Sequence, residues 1–349
     1  MNRRQYGMLD LVKFLCAILI VSAHYITEYA TGRIHGLIDL GISIYVVAVP
    51  FFFACSGYLL FQKVFAAPEK GGAAVRDFMA RILKMYALWS VVYITFQVLT
   101  WVRFGVSSRQ VLRYVLNCLF YSTYRTIWFL PALALGAGLI WLIWRKWGIR
   151  PMLIIAGVCY LIGCAGVSYG FLPRKIPALD RFLESYEFAF ESTRNGLFNG
   201  FPLVALGAWM AHREGQGKCY HLLPSLLGCA VFGAGFIAEA FILKEYGSVN
   251  ANTLLLLVPF TYYFLGLCLS IPMKSGKVLK WMRGMSTTVF VCQRIWLSAL
   301  PGLLPGTVFA TMLTGNPYVG WAYVLSVTLL TAAVIHWLGK RNRLIGAMC

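Results

Sequence analysis

Apolar residues in this chain gather into runs of about 20 with few charges instead of alternating with polar ones, and about 20 residues at 1.5 Å per residue cross a hydrocarbon core of ~30 Å. Inside hydrocarbon a segment must satisfy its own backbone N–H and C=O groups, so each run reads as a helix. The runs lie at about 8–26, 41–64, 85–102, 127–144, 151–169, 196–211, 222–243, 253–272, 286–303 and 318–338. The pattern predicts an all-α integral membrane protein of about ten transmembrane helices. A tight basic turn, Arg145-Lys146-Trp147-Gly148-Ile149-Arg150, separates the fourth and fifth runs. The sixth and ninth runs are short and hold Gly, Pro or polar residues.

Two segments between runs carry helical stripes of their own. In residues 107–120, Val111, Leu112, Val115, Leu116 and Leu119 recur at helical spacing, as in a helix lying at the membrane interface. In residues 178–191, Leu179, Phe182, Leu183, Tyr186 and Phe190 form an apolar stripe, and Asp180, Glu184, Glu187 and Glu191 an acidic one. Two readings fit the acidic stripe: a solvated face, or a polar rim over an outward-facing substrate cavity.

Composition agrees with the pattern. The chain is 60% hydrophobic and 12% charged, where an average soluble domain is roughly half apolar and about a quarter charged. Of the 31 lysines and arginines, 19 fall in segments on the N-terminal side of the membrane, 10 in the opposite segments, and Lys13 and Arg294 within runs. This bias predicts that the N- and C-termini are both cytoplasmic. Basic inner loops facing an anionic leaflet account for the +19 net charge without nucleic acid. Asp10, Lys13 and His24 interrupt the first run, and no small-residue cleavage site follows it, so it is not read as a cleaved signal peptide. The ten cysteines lie mostly within runs, with no Cys-x-x-Cys pair and no metal-ligand spacing, and read as small buried hydrophobes with no metal. No fixed-period repeat or Pro- or Ser-rich linker divides the chain, so residues 1–349 read as a single transmembrane domain. The tail of about ten residues after the last run is too short for an appended soluble catalytic domain. The expected place is the bacterial cytoplasmic membrane, crossed many times.

The informative chemistry lies in the first run. Ionisable side chains inside a membrane are costly and usually face a cavity or a partner. At about 100° per residue, His24 stands only ~20° from a whole number of turns beyond Lys13, and Asp10 is ~60° from Lys13 and ~40° from His24. All three share one face, and Lys13 and His24 are ~16 Å apart along the axis. A wet stripe reaching toward both surfaces is what a group-transfer or transport pathway needs. Asp10 and Lys13 also fit a structural pair at i, i+3, and His24 fits a buried, hydrogen-bonded imidazole.

Asp10-x2-Lys13-x10-His24 resembles the first-span Arg/Lys-x10-His signature of the membrane acyltransferase-3 family. Val49-Pro50-Phe51-Phe52-Phe53-Ala54-Cys55-Ser56-Gly57-Tyr58-Leu59-Leu60 resembles its second-span motif, Phe78-x2-Arg81-x2-Lys84 its basic segment, and Trp128-Phe129-Leu130 and Thr193-Arg194-Asn195-Gly196-Leu197-Phe198 its later segments. Within that family the wording is most similar to the membrane domain of the serine racemases of vancomycin resistance, without the soluble racemase domain. The resemblance implies an acyl-CoA donor of the acetyl-CoA class on the cytoplasmic side, with no permanently bound cofactor. It implies as acceptor a hydroxyl of an extracytoplasmic cell-envelope glycan. His24 would be the general base, and Lys13 would polarise the thioester or position Asp10. Arg81 and Lys84 would hold the coenzyme A phosphates, or simply anchor the inner side. Ser56 would line the site or hydrogen-bond between helices beside Gly57, and Trp128 would be a site residue or an interfacial anchor. Arg194 and Asn195 would meet the acceptor at the outer start of the sixth run. Glu239 would pair with Lys244 or line the same cavity as His24, and Arg294 would bind an anion or pair with a buried acid.

The chain departs from the family pattern in three places. Lysine stands at positions 13 and 84 where arginine is common, and Phe290-Val291-Cys292-Gln293-Arg294 occupies the place where relatives often carry a histidine followed by proline. The same polar residues fit a competing class: Lys13, His24, Glu239 and Arg294 suit a transporter of a zwitterionic amino acid such as L-serine, and a third class is an inactive scaffold.

Overall fold

The computed structural model describes residues 6–30, 44–124, 126–246 and 253–349. Arg33, Arg125 and the first residues of the run at 41–64 lie outside them. All regular structure among the described residues is helical. In chain order the helices are α1 (Gly7–Tyr25), α2 (Ala48–Ala66), α3 (Pro68–Phe104), α4 (Ser108–Phe120), α5 (Phe129–Trp147), α6 (Ile149–Val167), α7 (Pro177–Phe190), α8 (Phe201–Gly215), α9 (Leu222–Glu245), α10 (Leu257–Ser270), α11 (Lys277–Arg294), α12 (Leu300–Leu303), α13 (Val308–Thr314), α14 (Pro317–Gly339) and α15 (Arg343–Gly346). Three wide π turns, Ile26–Ala30, Gly196–Gly200 and Ile295–Ala299, adjoin α1, α8 and α11.

Local chemistry sets several boundaries. Pro68 opens α3 directly after α2, where its missing N–H is not needed. Gly148, at φ 80°, turns the chain between α5 and α6 in the left-handed region that favours glycine. Ser107 and Gln110 form a reciprocal capping box at the start of α4. The carboxamides of Asn316 and Asn342 accept from two backbone N–H groups each and start α14 and α15. The two stripes read in the sequence, at 107–120 and 178–191, are the helices α4 and α7.

Seven stretches among the described residues are long and apolar enough to span a bilayer: α1 with its π turn, α2, α3, α5, α6, α9 and α14. An eighth results if α11, α12 and α13 count as one span, bent by 114°. Ten apolar runs therefore do not give ten straight helices. α8 has 15 residues and α10 has 14, and helices that short reach only about 21–23 Å, less than the ~30 Å core. The sixth run spends its first turn on the π segment before α8, and the ninth run ends at the bend. α3 errs the other way: its 37 residues are about 55 Å long, so its basic first part extends past the apolar portion. The molecule is a multi-pass membrane protein.

The chain divides into two compact units. One comprises residues 1–48, 84–127 and 273–349; the other comprises 49–83 and 128–272. In the first, α1 packs along α11, and α14 packs on both. Asp10 meets α11 near its start and His24 meets it near its end, so α1 and α11 run parallel. The tail folds back, with α15 on α14 and the Trp89 indole N–H donating to the carbonyl of Met348 at 3.0 Å.

In the second unit, α5 packs on α8 and on the π turn Gly196–Gly200, α6 packs on α8, and α9 pairs with α10. α2 and α8 meet backbone to backbone through reciprocal small residues. A Cβ on Gly57 would overlap the carbonyl of Val204, and a Cβ on Gly207 would overlap the carbonyl of Ala54. The glycine of the Ser-Gly-Tyr motif is thus explained by helix crossing, the membrane use of small residues.

Candidate active site

The first unit gathers the polar residues of the opening helix along α11. At one end, the Asp10 carboxylate is buried, accepts a hydrogen bond from Ser275 Oγ at 3.0 Å and lies 3.9 Å from the Arg283 guanidinium. Lys13 adds to the positive field on that carboxylate. At the other end, His24 occupies the last turn of α1, half-buried, with Nδ1 3.0 Å from Oε1 of Gln293. Gln293 is completely buried, and its amide N–H donates to the carbonyl of Phe290 at 2.8 Å. Both ends of the stripe predicted for Asp10, Lys13 and His24 meet α11 or the residues just before it.

Immediately beyond these groups both helices widen. α1 passes into the π turn Ile26–Ala30, and α11 into the π turn Ile295–Ala299. A π turn displaces side chains from the regular helical path and releases carbonyls, and such turns are frequent at functional sites. Here the widening brings Glu28 onto Arg294 as an ion pair. Arg294 is 5% exposed, and its Nε donates to Thr126 Oγ1 at 2.8 Å. The Tyr29 hydroxyl donates to the carbonyl of Leu297 at 2.5 Å, and the Tyr93 hydroxyl donates to the carbonyl of Val291. Tyr124 stacks on Tyr93 with centroids 4.3 Å apart, and its hydroxyl meets Ser298 Oγ at 2.9 Å. A basic imidazole, a buried amide and a neutralised guanidinium thus occupy one level of the unit. That set can orient a hydroxyl and accept its proton.

The remaining candidates of this unit and those of the second stand as follows. Lys84 is exposed on α3 in this unit; Arg81, on the part of α3 that belongs to the second unit, is exposed with its guanidinium over Phe78, 5.5 Å from the ring centroid. In the second unit, Ser56 is half-buried on α2 beside Gly57. Its neighbour Tyr58 is completely buried and donates its hydroxyl to Glu214. Trp128 is buried, packs on Phe53, and carries the Arg194 guanidinium 5.3 Å from its ring centroid. Asn195 is buried. Its carbonyl oxygen accepts from the N–H groups of Leu197 and Phe198, which starts the π turn, and its amide donates to the Tyr186 hydroxyl at 2.5 Å. Burial pushes the Tyr186 hydroxyl above its ordinary value, against the opposing effect of that hydrogen bond.

The Glu239 carboxylate accepts from the Tyr169 hydroxyl and from the backbone N–H groups of Leu255 and Leu256, the latter two at 2.6 and 2.8 Å. A carboxylate suits the positive N-terminal end of α10, and this explains its place in an apolar run without Lys244.

Sequence reasoning did not find Gln293, Glu28, Thr126 or Tyr29. Gln293 registered only as the absence of a histidine. Glu28 lies just past the end of the first run, and only the π turn carries it to Arg294. One signal was available: a buried arginine in the ninth run demands an acid, and the chain has 12 acidic residues in all.

The sequence model of a membrane acyltransferase family, described as an acyltransferase domain, matches residues 6–338. The chain belongs to this family. It is also similar to an amino-acid racemase of Enterococcus faecalis, 27% identical over 250 residues, which covers 71% of this chain and 34% of that protein. A second amino-acid racemase of Enterococcus faecalis is 25% identical over 267 residues, covering 74% of this chain and 36% of that protein. A serine/alanine racemase of Enterococcus gallinarum is 24% identical over 260 residues, covering 74% and 36%. The acyltransferase-family chain therefore matches about a third of the length of these curated relatives. No solved structure matches it.

Proposed function

We propose that the protein moves an acyl group, an acetyl group in the simplest case, from cytoplasmic acyl-CoA to a hydroxyl of an extracytoplasmic cell-envelope glycan. The observation that carries this reading is His24 set against the buried Gln293 amide, in a chain whose acyltransferase domain runs from residue 6 to residue 338. His24 takes the proton of the acceptor hydroxyl as its oxygen attacks the thioester carbonyl. The new C–O bond forms, the tetrahedral intermediate collapses, the C–S bond breaks, and the imidazolium returns its proton to the departing thiolate. Atoms and charge balance: ester and free coenzyme A leave.

Distance divides the labour along α1. Lys13 stands about 16 Å from His24 along the helix, too far for both to touch one carbonyl. In coenzyme A the pantetheine arm separates the sulfur from the phosphates. A cation at the far end of the stripe, accompanied by Arg283, therefore suits the donor's phosphate region better than its thioester. Lys84, in the same unit, adds charge of the same sign on α3. The Glu28–Arg294 pair lies beside the Gln293 that holds His24. Both termini lie in the cytoplasm on this reading, and the short helices α8 and α10 with their flanking turns complete ten crossings.

The test uses purified protein in detergent with acetyl-CoA and a thiol reagent. Thiol release by the wild type, with water as a slow acceptor, supports the reading. No donor binding at millimolar acetyl-CoA, together with L-serine uptake into liposomes, overturns it in favour of transport.

A further inference from the structure

A neutral imidazole carries its proton on one nitrogen and its basic lone pair on the other, and the fold selects which. The Gln293 side chain is a planar amide held at both ends. One end lies 2.8 Å from the carbonyl oxygen of Phe290 and the other 3.0 Å from Nδ1 of His24. A backbone carbonyl only accepts, so the amide must turn its NH2 toward Phe290 and its oxygen toward His24. That oxygen also only accepts, so Nδ1 must supply the proton.

The carrier of the amide is itself fixed. Gln293 is 0% exposed, and its neighbour Arg294 is pinned by Glu28 and Thr126. One turn earlier, Val291 accepts the Tyr93 hydroxyl. Flipping the amide would set two acceptors against each other at Phe290 around a fully buried side chain.

We infer that Gln293 is the positioning residue of the reaction: it holds His24 in the Nδ1–H form and so makes Nε2 the nitrogen that takes the acceptor's proton. This rests on the acyl-transfer reading above. Among the described residues, Glu28 and Arg294 near this end of α1 and α11 pair with each other, and the amide itself adds no net charge beside the imidazole.

The experiment combines steady-state kinetics with 15N NMR of histidine-labelled protein, in which only five histidines contribute. The wild type should show one imidazole with a protonated Nδ1 and a bare Nε2, absent from His24→Ala. Gln293→Leu should lower kcat for thiol release from acetyl-CoA about 10- to 100-fold, with KM for the donor unchanged within about two-fold. Gln293→Glu keeps an acceptor oxygen for Nδ1–H but sets its second oxygen against the Phe290 carbonyl, so it should restore the Nδ1–H signature and recover only part of the lost kcat, a pairing that a merely structural role would not explain. Size-exclusion profiles matching the wild type show that each variant is folded. A wild-type His24 protonated on Nε2, or Gln293→Leu with wild-type kcat beside an inactive His24→Ala, overturns the inference. An Nδ1–H signature in a wild type that releases no thiol overturns the acyl-transfer reading instead, and the catalytic half of this inference with it.

Discussion

The Glu28–Arg294 pair offers a test in which removing either partner has unequal effects. The Arg294 side chain is 6% exposed and that of Glu28 is 26% exposed. Glu28→Gln leaves a permanently charged guanidinium buried with, among the described residues, the Thr126 hydroxyl as its side-chain hydrogen-bond partner, and stranding a buried charge costs about 3–5 kcal/mol. Because Arg294 keeps that hydrogen bond, the lower end of the range, about 3 kcal/mol, is expected. Arg294→Met strands Glu28 instead, but Glu28 reaches solvent, so the cost should be nearer 1 kcal/mol. In the double variant no charge remains to be compensated, and it should be more stable than Glu28→Gln alone, with a coupling of about 2–3 kcal/mol. Thermal unfolding in detergent, followed by the fluorescence of the 11 tryptophans, ranks the four proteins. If Glu28→Gln unfolds no earlier than Arg294→Met, or the double variant loses the sum of the singles, the buried-pair argument is refuted.

Two other perturbations test the second unit. Gly207→Ala should destabilise by about 3 kcal/mol, because its Cβ would meet the Ala54 carbonyl and the Tyr58 amide nitrogen, which is backbone that cannot turn aside; a melting temperature equal to wild type would show that α2 and α8 are not in backbone contact. Glu239→Gln should cost about 2 kcal/mol by weakening charge-assisted hydrogen bonds at the start of α10, read as faster amide exchange at residues 253–257; unchanged protection there would remove Glu239 from that role.

Hydropathy located the apolar runs but not their continuity, because it counts side chains and is blind to backbone hydrogen bonding. The π turn after Arg294 lies inside the ninth run, the one after His24 begins where the first run ends, and the 114° bend follows α12 where the ninth run ends; all three are backbone events. The bend falls at Pro305-Gly306, where Gly306 sits at φ 79°, and that dipeptide was a readable stop signal. Helical arithmetic placed Asp10, Lys13 and His24 on one face, since it needs only the 100° step. It left the partners unknown: Asp10 meets Ser275 and Arg283 more than 260 positions away, which no local periodicity reports. Gln293 carries no charge and sits among apolar residues, so its importance emerges only when α1 is laid beside α11.

The central claim, that His24 is the base of an acyl transfer, is tested most directly by thiol release from acetyl-CoA in purified wild type and His24→Ala measured side by side. The account predicts release by the wild type and a drop to the uncatalysed background in a variant that still elutes and melts as a folded protein. Equal rates in the two proteins would contradict it.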